Sequence, residues 1–277
     1  MHITAKEAHA PAAHHEHMSP WPPVLALGTL LLYFGVIFHG WVLGLGIILF
    51  LVALFGWILE DYTRWKDPSL DYHEHIEPPE DASFLARWMA RPVAWWGIVL
   101  FLLTEIMLFG ALFGLYFVSR AAAGGFPPAG APQLPVFATG INTAILVSSG
   151  FTMHFGIMAM RRGSRTWFLG MFALTIFLGG LFLYNQVSEY LELFHEGFSL
   201  SSGVYGAAFF SLTGVHGAHV TAGLAGLTAV FLRGMGGQFD GKRHMGVEGV
   251  SIYWHFVDIV WIFLFLVIYF LPSIHWM

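Results

Sequence analysis

The chain has 277 residues, of which 57% are hydrophobic and only 10% are charged, and its mean hydropathy is +0.67. Soluble proteins carry charge on about 25% of their residues, so the 12 basic and 17 acidic side chains could not cover this chain in water. The composition therefore excludes a soluble globular protein, and the net charge of -5 indicates no nucleic-acid partner. The sequence has no cysteine, which excludes disulfides, thiolate metal sites and cysteine nucleophiles.

The N-terminal segment, residues 1–20, has a single lysine, five histidines and no apolar core. It does not have the pattern of a secretory signal. We expect a flexible, histidine-rich tail. Irregularly spaced histidines on such a segment more often give weak, incidental metal affinity than a defined site, so no function is assigned to it.

Seven apolar segments follow. A bilayer core of about 30 Å requires about 20 apolar residues per helix, and strands of a membrane barrel would alternate with a period of two over about ten residues. The segments are continuously apolar rather than alternating, so the sequence predicts an all-α integral membrane protein with seven transmembrane helices. These helices are predicted at residues 22–39, 41–59, 93–118, 136–160, 167–193, 203–232 and 250–271.

The connections between the predicted helices differ greatly in length. Residues 39–41 alone join the first two helices, so residues 21–59 should form a hairpin. The polar residues 60–92 separate this hairpin from residues 93–277, which hold the other five helices. We therefore expect a two-helix unit and a five-helix unit, with lipid filling a cleft between them.

Basic residues are distributed unequally between the two sides of the membrane. Counted loop by loop, eleven of the twelve lysines and arginines fall on the side of the N-terminus, and Arg120 alone falls on the other side. Because cytoplasmic loops are rich in basic residues, the N-terminus is predicted in the cytoplasm. The C-terminus is then predicted on the periplasmic or extracellular side of the inner or cell membrane.

Ionisable side chains inside the predicted spans form the candidate site, because such groups are costly in lipid and usually face the protein interior. They are Glu105, His154, Glu189, Glu192, His216, His219, His255 and Asp258. His216 and His219 have i, i+3 spacing and share one helix face, as do His255 and Asp258.

Two interpretations of these histidines are open. Several histidines at similar depth could ligate a metal or a haem. Alternatively they could join helices by hydrogen bonds to Asp258, Glu248 or backbone carbonyls. The spacing favours the second interpretation, because a haem with two histidine ligands needs them on facing helices.

Glu105 lies within the third predicted helix and has no cationic neighbour in sequence. It could act in a proton relay or contact a polar headgroup, or it could be a protonated acid hydrogen-bonded across a helix interface. The sequence favours neither of these interpretations over the other.

Two long blocks carry a family resemblance: residues 253–264, YWHFVDIVWIFL, and residues 205–220, YGAAFFSLTGVHGAHV. The match continues through SPWP at 19–22, Thr104–Glu105, Asn142–Thr143, Ser149–Gly150 and QVSEY at 186–190. With these blocks in this order, the chain resembles subunit III of haem-copper respiratory oxidases. That family's two-plus-five helix architecture agrees with the unit division predicted above.

The resemblance implies a proton-pumping terminal oxidase of aerobic electron transport in which this chain carries no cofactor. The haems and copper would reside in subunits I and II, while this subunit packs on subunit I, holds structural phospholipids and supports proton uptake and stability in turnover. Glu105 corresponds to the family's buried membrane carboxylate. Arg64, His73 or His75, and Arg233 fall where the family has lipid-headgroup ligands. The other candidate buried polar or proton-related residues are His216, His219, Glu248, His255 and Asp258.

One departure concerns the fourth helix. Where mitochondrial-type members have a His-His pair, this chain has Ile157 and Met158, with His154 one turn earlier. Two alternatives stay open: a haem b-binding electron carrier that uses His154, His216, His219 and His255, or the subunit III of a quinol oxidase or nitric oxide reductase complex. The electron donor does not follow from this sequence, because it docks elsewhere.

Overall fold

A computed structural model describes residues 19–37, 40–65, 83, 93–123, 127–128, 131–239 and 245–274. Every regular element in these ranges is helical. The predicted N-terminal tail lies outside the described residues except for Ser19 and Pro20, and so does most of the predicted polar loop at 60–92.

The helices follow the seven predicted segments. They are α1 (Trp21–Ile37), α2 (Gly40–Trp65), α3 (Val93–Ala122), α4 (Val136–Arg161), α5 (Arg165–His195), α6 (Gly203–Met235) and α7 (Met245–Leu264). Six of them, α2 to α7, are long and apolar enough to cross a membrane, while α1 has 17 residues and is the shorter one. The prediction of an all-helical membrane protein is confirmed.

α7 does not end at Leu264. It continues through a π-helical turn, Phe265–Phe270, into a last α-helical turn, Leu271–Ile274. The N–H of Leu271 donates to the carbonyl of Leu266, five residues back, which is the hydrogen bond that defines a π turn. The buried side chains of this turn are Val267, Ile268 and Tyr269.

α4, α5 and α6 end in the same way. Each is followed by a glycine with positive φ: Gly163 at 75°, Gly197 at 79° and Gly237 at 76°. The residue after each glycine donates its N–H to a carbonyl five positions back, at 2.9, 2.9 and 3.2 Å. This is the Schellman arrangement, which pairs the last carbonyls of a helix and favours glycine because the left-handed conformation costs it little.

The chain divides into two compact units, residues 1–77 and 78–277. In the first unit, α1 and α2 pack against each other as the predicted hairpin. Glycines allow the two helices to approach closely. A Cβ atom on Gly28 of α1 would lie 2.7 Å from the backbone nitrogen of Phe50 of α2, a distance that real side chains do not adopt.

In the second unit α4 packs on α5 and α7, while α6 packs on α5, α7 and α3. The centre of this bundle is filled by Trp254 and Trp261 of α7, both fully buried. The Trp254 ring lies against two glycines, since a Cβ atom on either Gly179 or Gly223 would come within 2.7 Å of it. Its indole N–H donates to Ser149 Oγ at 3.0 Å, so the polar group of this buried ring has a hydrogen-bond partner.

α3 joins this bundle through a single buried stripe. Phe109, Phe113 and Tyr116 repeat at helical spacing and face α6 and α7. Glu105 lies on the same stripe, one turn before Phe109. The packing of α3 therefore directs the carboxyl group of Glu105 towards the bundle.

Candidate functional site

Glu105 and His219 form a pair between α3 and α6, near the middle of both helices. His219 Nε2 lies 2.8 Å from Glu105 Oε2, and each side chain is only 15% exposed. The partner is 114 residues away in sequence. A distant helix therefore supplies the ionisable partner that the sequence around Glu105 does not provide.

The second ring nitrogen of His219 fixes how protons are arranged in this pair. Nδ1 lies 2.7 Å from the carbonyl oxygen of Val215, which can only accept. Nδ1 must therefore carry a hydrogen. One further proton is then shared between Nε2 and the carboxyl group: the pair is either neutral, with Glu105 as donor, or an ion pair, with His219 as donor.

Aromatic rings surround this pair. Phe109 meets the His219 ring edge-on at 5.0 Å between centroids, and Tyr253 stacks on it at 6.4 Å. The Tyr253 hydroxyl donates to the carbonyl of His219 at 3.2 Å. These contacts fix the imidazole orientation and surround the shared proton with apolar surface.

His216 shares its helix face with His219, as the spacing predicts, but it has different surroundings. Its ring stacks on Trp261 at 4.9 Å and meets Phe182 edge-on at 6.1 Å. Phe109 contacts both histidine rings. Within the described residues neither ring nitrogen of His216 has a hydrogen-bond partner, so this histidine packs among rings instead of bonding to Asp258 or Glu248.

His255 and Asp258 lie side by side on α7, with Nδ1 and Oδ2 3.7 Å apart. Gly150 of α4 makes room for the carboxylate, because a Cβ atom there would lie 2.5 Å from Asp258 Oδ2. Glu248, at the start of α7, instead accepts from Arg161 at 2.6 Å. His154 is exposed on α4.

These positions bear on the haem hypothesis. Both ring nitrogens of His219 are occupied, by Val215 and by Glu105, so neither can bind a metal unless one of these contacts breaks. Among the residues that the structure describes, no three His, Cys, Asp or Glu side chains group closely enough to hold a metal ion.

A second buried carboxylate belongs to Glu189, which the sequence placed among the ionisable residues inside the predicted spans but to which it assigned no role. Glu189 of α5 accepts from the Tyr269 hydroxyl at 2.8 Å and from Gln186 Nε2 at 3.3 Å, and the Thr139 hydroxyl lies 3.4 Å from it. Three helices meet at this carboxyl group. The i, i+3 spacing of Gln186 and Glu189 inside a predicted span was the available sequence signal.

The candidate lipid ligands are only partly described. Arg233, in the last turn of α6, donates from Nε to Gln238 Oε1 at 2.8 Å, and its guanidinium lies 5.6 Å from the centre of the Phe239 ring. Arg64 lies in α2, but its side chain is outside the described part, and so are His73 and His75.

Other basic residues share the bundle end of Arg233. Arg161 ends α4, Arg165 begins α5, and the Arg165 guanidinium donates to the carbonyl of Met235 at the end of α6. Arg120 lies in the last turn of α3, at the opposite end of the bundle. The reason is that α3 begins at the end of the bundle where α4 finishes.

Known proteins resemble the chain over nearly its full length. The family model of cytochrome c oxidase subunit III matches residues 12–273. The chain is 35% identical over 266 residues to cytochrome c oxidase subunit 3 of Dugong dugon, with 93% of this chain and 96% of the relative covered. It is 33% identical over 268 residues to that of Homo sapiens, covering 93% and 97%. It is also 40% identical over 176 residues to that of a Synechocystis strain, covering 63% and 74%.

Proposed function

Because the chain belongs to the cytochrome c oxidase subunit III family and is an accessory subunit of a haem-copper oxidase, we propose that it packs on subunit I, beside subunit II. In this role it carries no redox centre, binds structural phospholipid and supports proton uptake and stability in turnover. The chain is a multi-pass membrane protein and part of an oxidoreductase complex of the respiratory chain. The proposal adds what its residues contribute to that complex.

The Glu105–His219 pair is the observation that carries the proton-related part of the proposal. A proton shared between a carboxyl oxygen and an imidazole nitrogen at 2.8 Å can move with small changes in the surroundings. The pair lies near mid-membrane, where ionisable groups are costly and mark proton relays unusually often. We propose that the Glu105–His219 pair holds one proton for use by the neighbouring subunit.

The proposed phospholipid binding rests on the charge and the position of Arg233. Arg233 lies at the end of a membrane-spanning helix, and a guanidinium there suits a phosphate headgroup by charge and geometry. Gln238 and Phe239 hold its side chain in place. We propose Arg233 and, in the two-helix unit, Arg64, with His73 or His75, as headgroup ligands. This bundle end is then the cytoplasmic one, with the C-terminus on the other side.

The lipid part can be tested by replacing one arginine at a time in the intact complex. Arg233→Gln should lower the phospholipid that copurifies, measured by mass spectrometry of extracted lipid. Arg162→Gln is the matched control, since Arg162 is exposed at the same end of the bundle. Equal lipid content in the two variants would remove Arg233 from the proposed site.

The accessory role can be tested on the complex purified through a tag on this chain. A redox difference spectrum is recorded before and after mild dissociation, and the active lifetime in turnover is measured with and without the chain. Haem should leave with the partner subunits, and the remaining enzyme should inactivate sooner. Haem that stays with this chain would overturn the non-redox role.

A further inference from the structure

α4 presents an exposed stripe to its surroundings. Phe137, Ile141, Phe151 and Phe155 recur at helical spacing along one face, and Phe151 is 62% exposed. His154 lies beside the last two of these residues and is itself exposed. Its ring contacts only Phe155, with 6.1 Å between centroids, and it makes no hydrogen bond within the described part of the chain.

The depth of His154 makes this exposure unusual. It precedes Arg161 by seven residues, which at 1.5 Å per residue is about 10 Å from the end of α4. The polar headgroup layer is only about 6 Å deep on each side of the hydrocarbon core. Lipid chains offer no hydrogen bond at that depth, and an ionisable group there is costly unless protein covers it.

α7 contributes polar groups beside the same part of α4. The His255 side chain is 41% exposed, and its Nδ1 would lie 3.4 Å from a Cβ atom on Gly150. Asp258 is only 7% exposed, and its Oδ1 is buried without a hydrogen-bond partner among the described residues. A neighbouring helix could therefore reach the imidazoles of His154 and His255, and not this carboxylate oxygen. Gly150 lies one helical turn before His154 on the same side of α4. We call the group formed by Gly150, His154, His255 and Asp258 the α4–α7 seam.

α5 offers a comparison with another exposed surface of the same bundle. Its exposed side chains include Trp167, Phe177, Leu191 and Phe194. The exposed acidic and basic residues near them, Arg165, Glu192 and His195, all lie in the first or last turn of the helix. The α4–α7 seam differs from this surface because its imidazoles lie more than one turn from the helix ends, below the headgroup layer.

We propose that the α4–α7 seam docks a transmembrane helix of the neighbouring oxidase subunit, and that this helix carries a hydrogen-bonding side chain at the level of His154 and His255. A hydroxyl, amide or indole side chain has this chemistry. Phe151 and Phe155 supply apolar contact beside the polar seam, as helix interfaces in membranes require. The inference rests on the proposed function only in taking an oxidase subunit as the neighbour.

The intact complex allows a direct test with a photoreactive residue of similar shape. Phe151 lies beside the seam, and the variant Phe151→p-benzoylphenylalanine places the photoreactive group there. Phe177→p-benzoylphenylalanine is the matched control, because Phe151 and Phe177 are 62% and 64% exposed. After irradiation in native membranes, position 151 should cross-link to a partner oxidase subunit and position 177 to phospholipid. Phe155→p-benzoylphenylalanine gives the same reading if the change at 151 prevents assembly.

Three outcomes would overturn the seam as a subunit interface: cross-links from positions 151 and 155 to phospholipid only, to a second copy of this chain, or to its own α1–α2 hairpin. A chain that fails to copurify with any oxidase subunit before irradiation would instead contradict the proposed function. The two failures are therefore distinguishable.

A binding measurement addresses the polar contact itself. His154→Phe should weaken retention of this chain in the detergent-washed complex by about threefold to tenfold, which is the effect of one interhelical hydrogen bond. His154→Gln should restore part of the retention, and Tyr184→Phe, on the exposed face of α5, should change nothing. Unchanged retention in His154→Phe would remove His154 from the interface.

Discussion

Two buried glutamates in the same bundle illustrate how differently one residue type can be used. Among the described residues Glu105 has one side-chain hydrogen-bond partner, His219, which can give or take a proton. Glu189 accepts from Tyr269 and Gln186, and these groups act only as donors to it. The first arrangement leaves a proton free to move, whereas the second fixes a carboxyl group as the meeting point of three helices. The partner, and not burial, distinguishes a proton-handling carboxylate from a structural one.

Removing the structural carboxylate should have the largest effect. Glu189→Ala leaves the buried Tyr269 hydroxyl and the Gln186 amide without their acceptor, at about 1–3 kcal/mol for each group. We expect a loss of about 2–6 kcal/mol in stability, measured as a lower unfolding temperature of the purified complex. Glu192→Ala is the control on the exposed side of the same helix. If the two variants unfolded at the same temperature, Glu189 would not hold the helices together.

Removing the imidazole of the proton-sharing pair should have a smaller effect on stability. His219→Phe keeps the ring volume between Phe109 and Tyr253 but removes both ring hydrogen bonds. Because these hydrogen bonds are lost while the ring volume is kept, we expect a loss of about 1–2 kcal/mol, together with a shorter active lifetime in turnover. A normal lifetime in this variant would show that the shared proton serves no purpose in the oxidase.

Removing the hydroxyl of Tyr253, whose ring stacks on His219, should lower stability less than the two changes above. Tyr253→Phe keeps the stacked ring and removes only the hydroxyl that donates to the His219 carbonyl. The expected loss is about 0.5–1.5 kcal/mol, measured by thermal unfolding beside the two variants above. A loss as large as that of Glu189→Ala would mean that Tyr253 orients α6 as a whole.

Glu105→Gln should change stability least, because the amide can still donate to Nε2 while Nδ1 keeps its bond to Val215. Assembly should be intact, with a stability change of about 0.5 kcal/mol or less. The proton can no longer move, so the active lifetime should shorten and the carboxyl infrared band of this residue should disappear. A complex that fails to assemble would make Glu105 structural, like Glu189.

Much of the fold could be predicted from the sequence because it depends on local properties. Apolar runs of sufficient length predict helices in lipid, and the connections at 39–41 and 60–92 predict the hairpin and its separation from the rest. The common face of His216 and His219 also follows from their spacing alone. Helix ends were less exact: α3 runs four residues beyond its predicted end at 118.

The site could be predicted only in part, because pairing across helices depends on how they pack. Glu105 and His219 are 114 residues apart, and nothing in either local sequence indicates the other. The same limit applies to Glu248, which pairs with Arg161 across 87 residues instead of with a histidine. Glycines in α6 show the same dependence on packing. Gly223 does admit Trp254, whereas a Cβ atom on Gly217 would meet nothing within 4 Å.

The π turn at Phe265–Phe270 makes the length of the last helix a determinant of the Glu189 contact. Such a turn takes in one residue more than an α turn, so every side chain after it is rotated relative to the earlier part of α7. Tyr269 lies within this turn, and from there its hydroxyl reaches Glu189 across 80 residues of sequence. Deleting a single residue from the turn would restore a regular helix and direct the tyrosine elsewhere. In this segment the chain should tolerate substitutions more readily than a one-residue deletion.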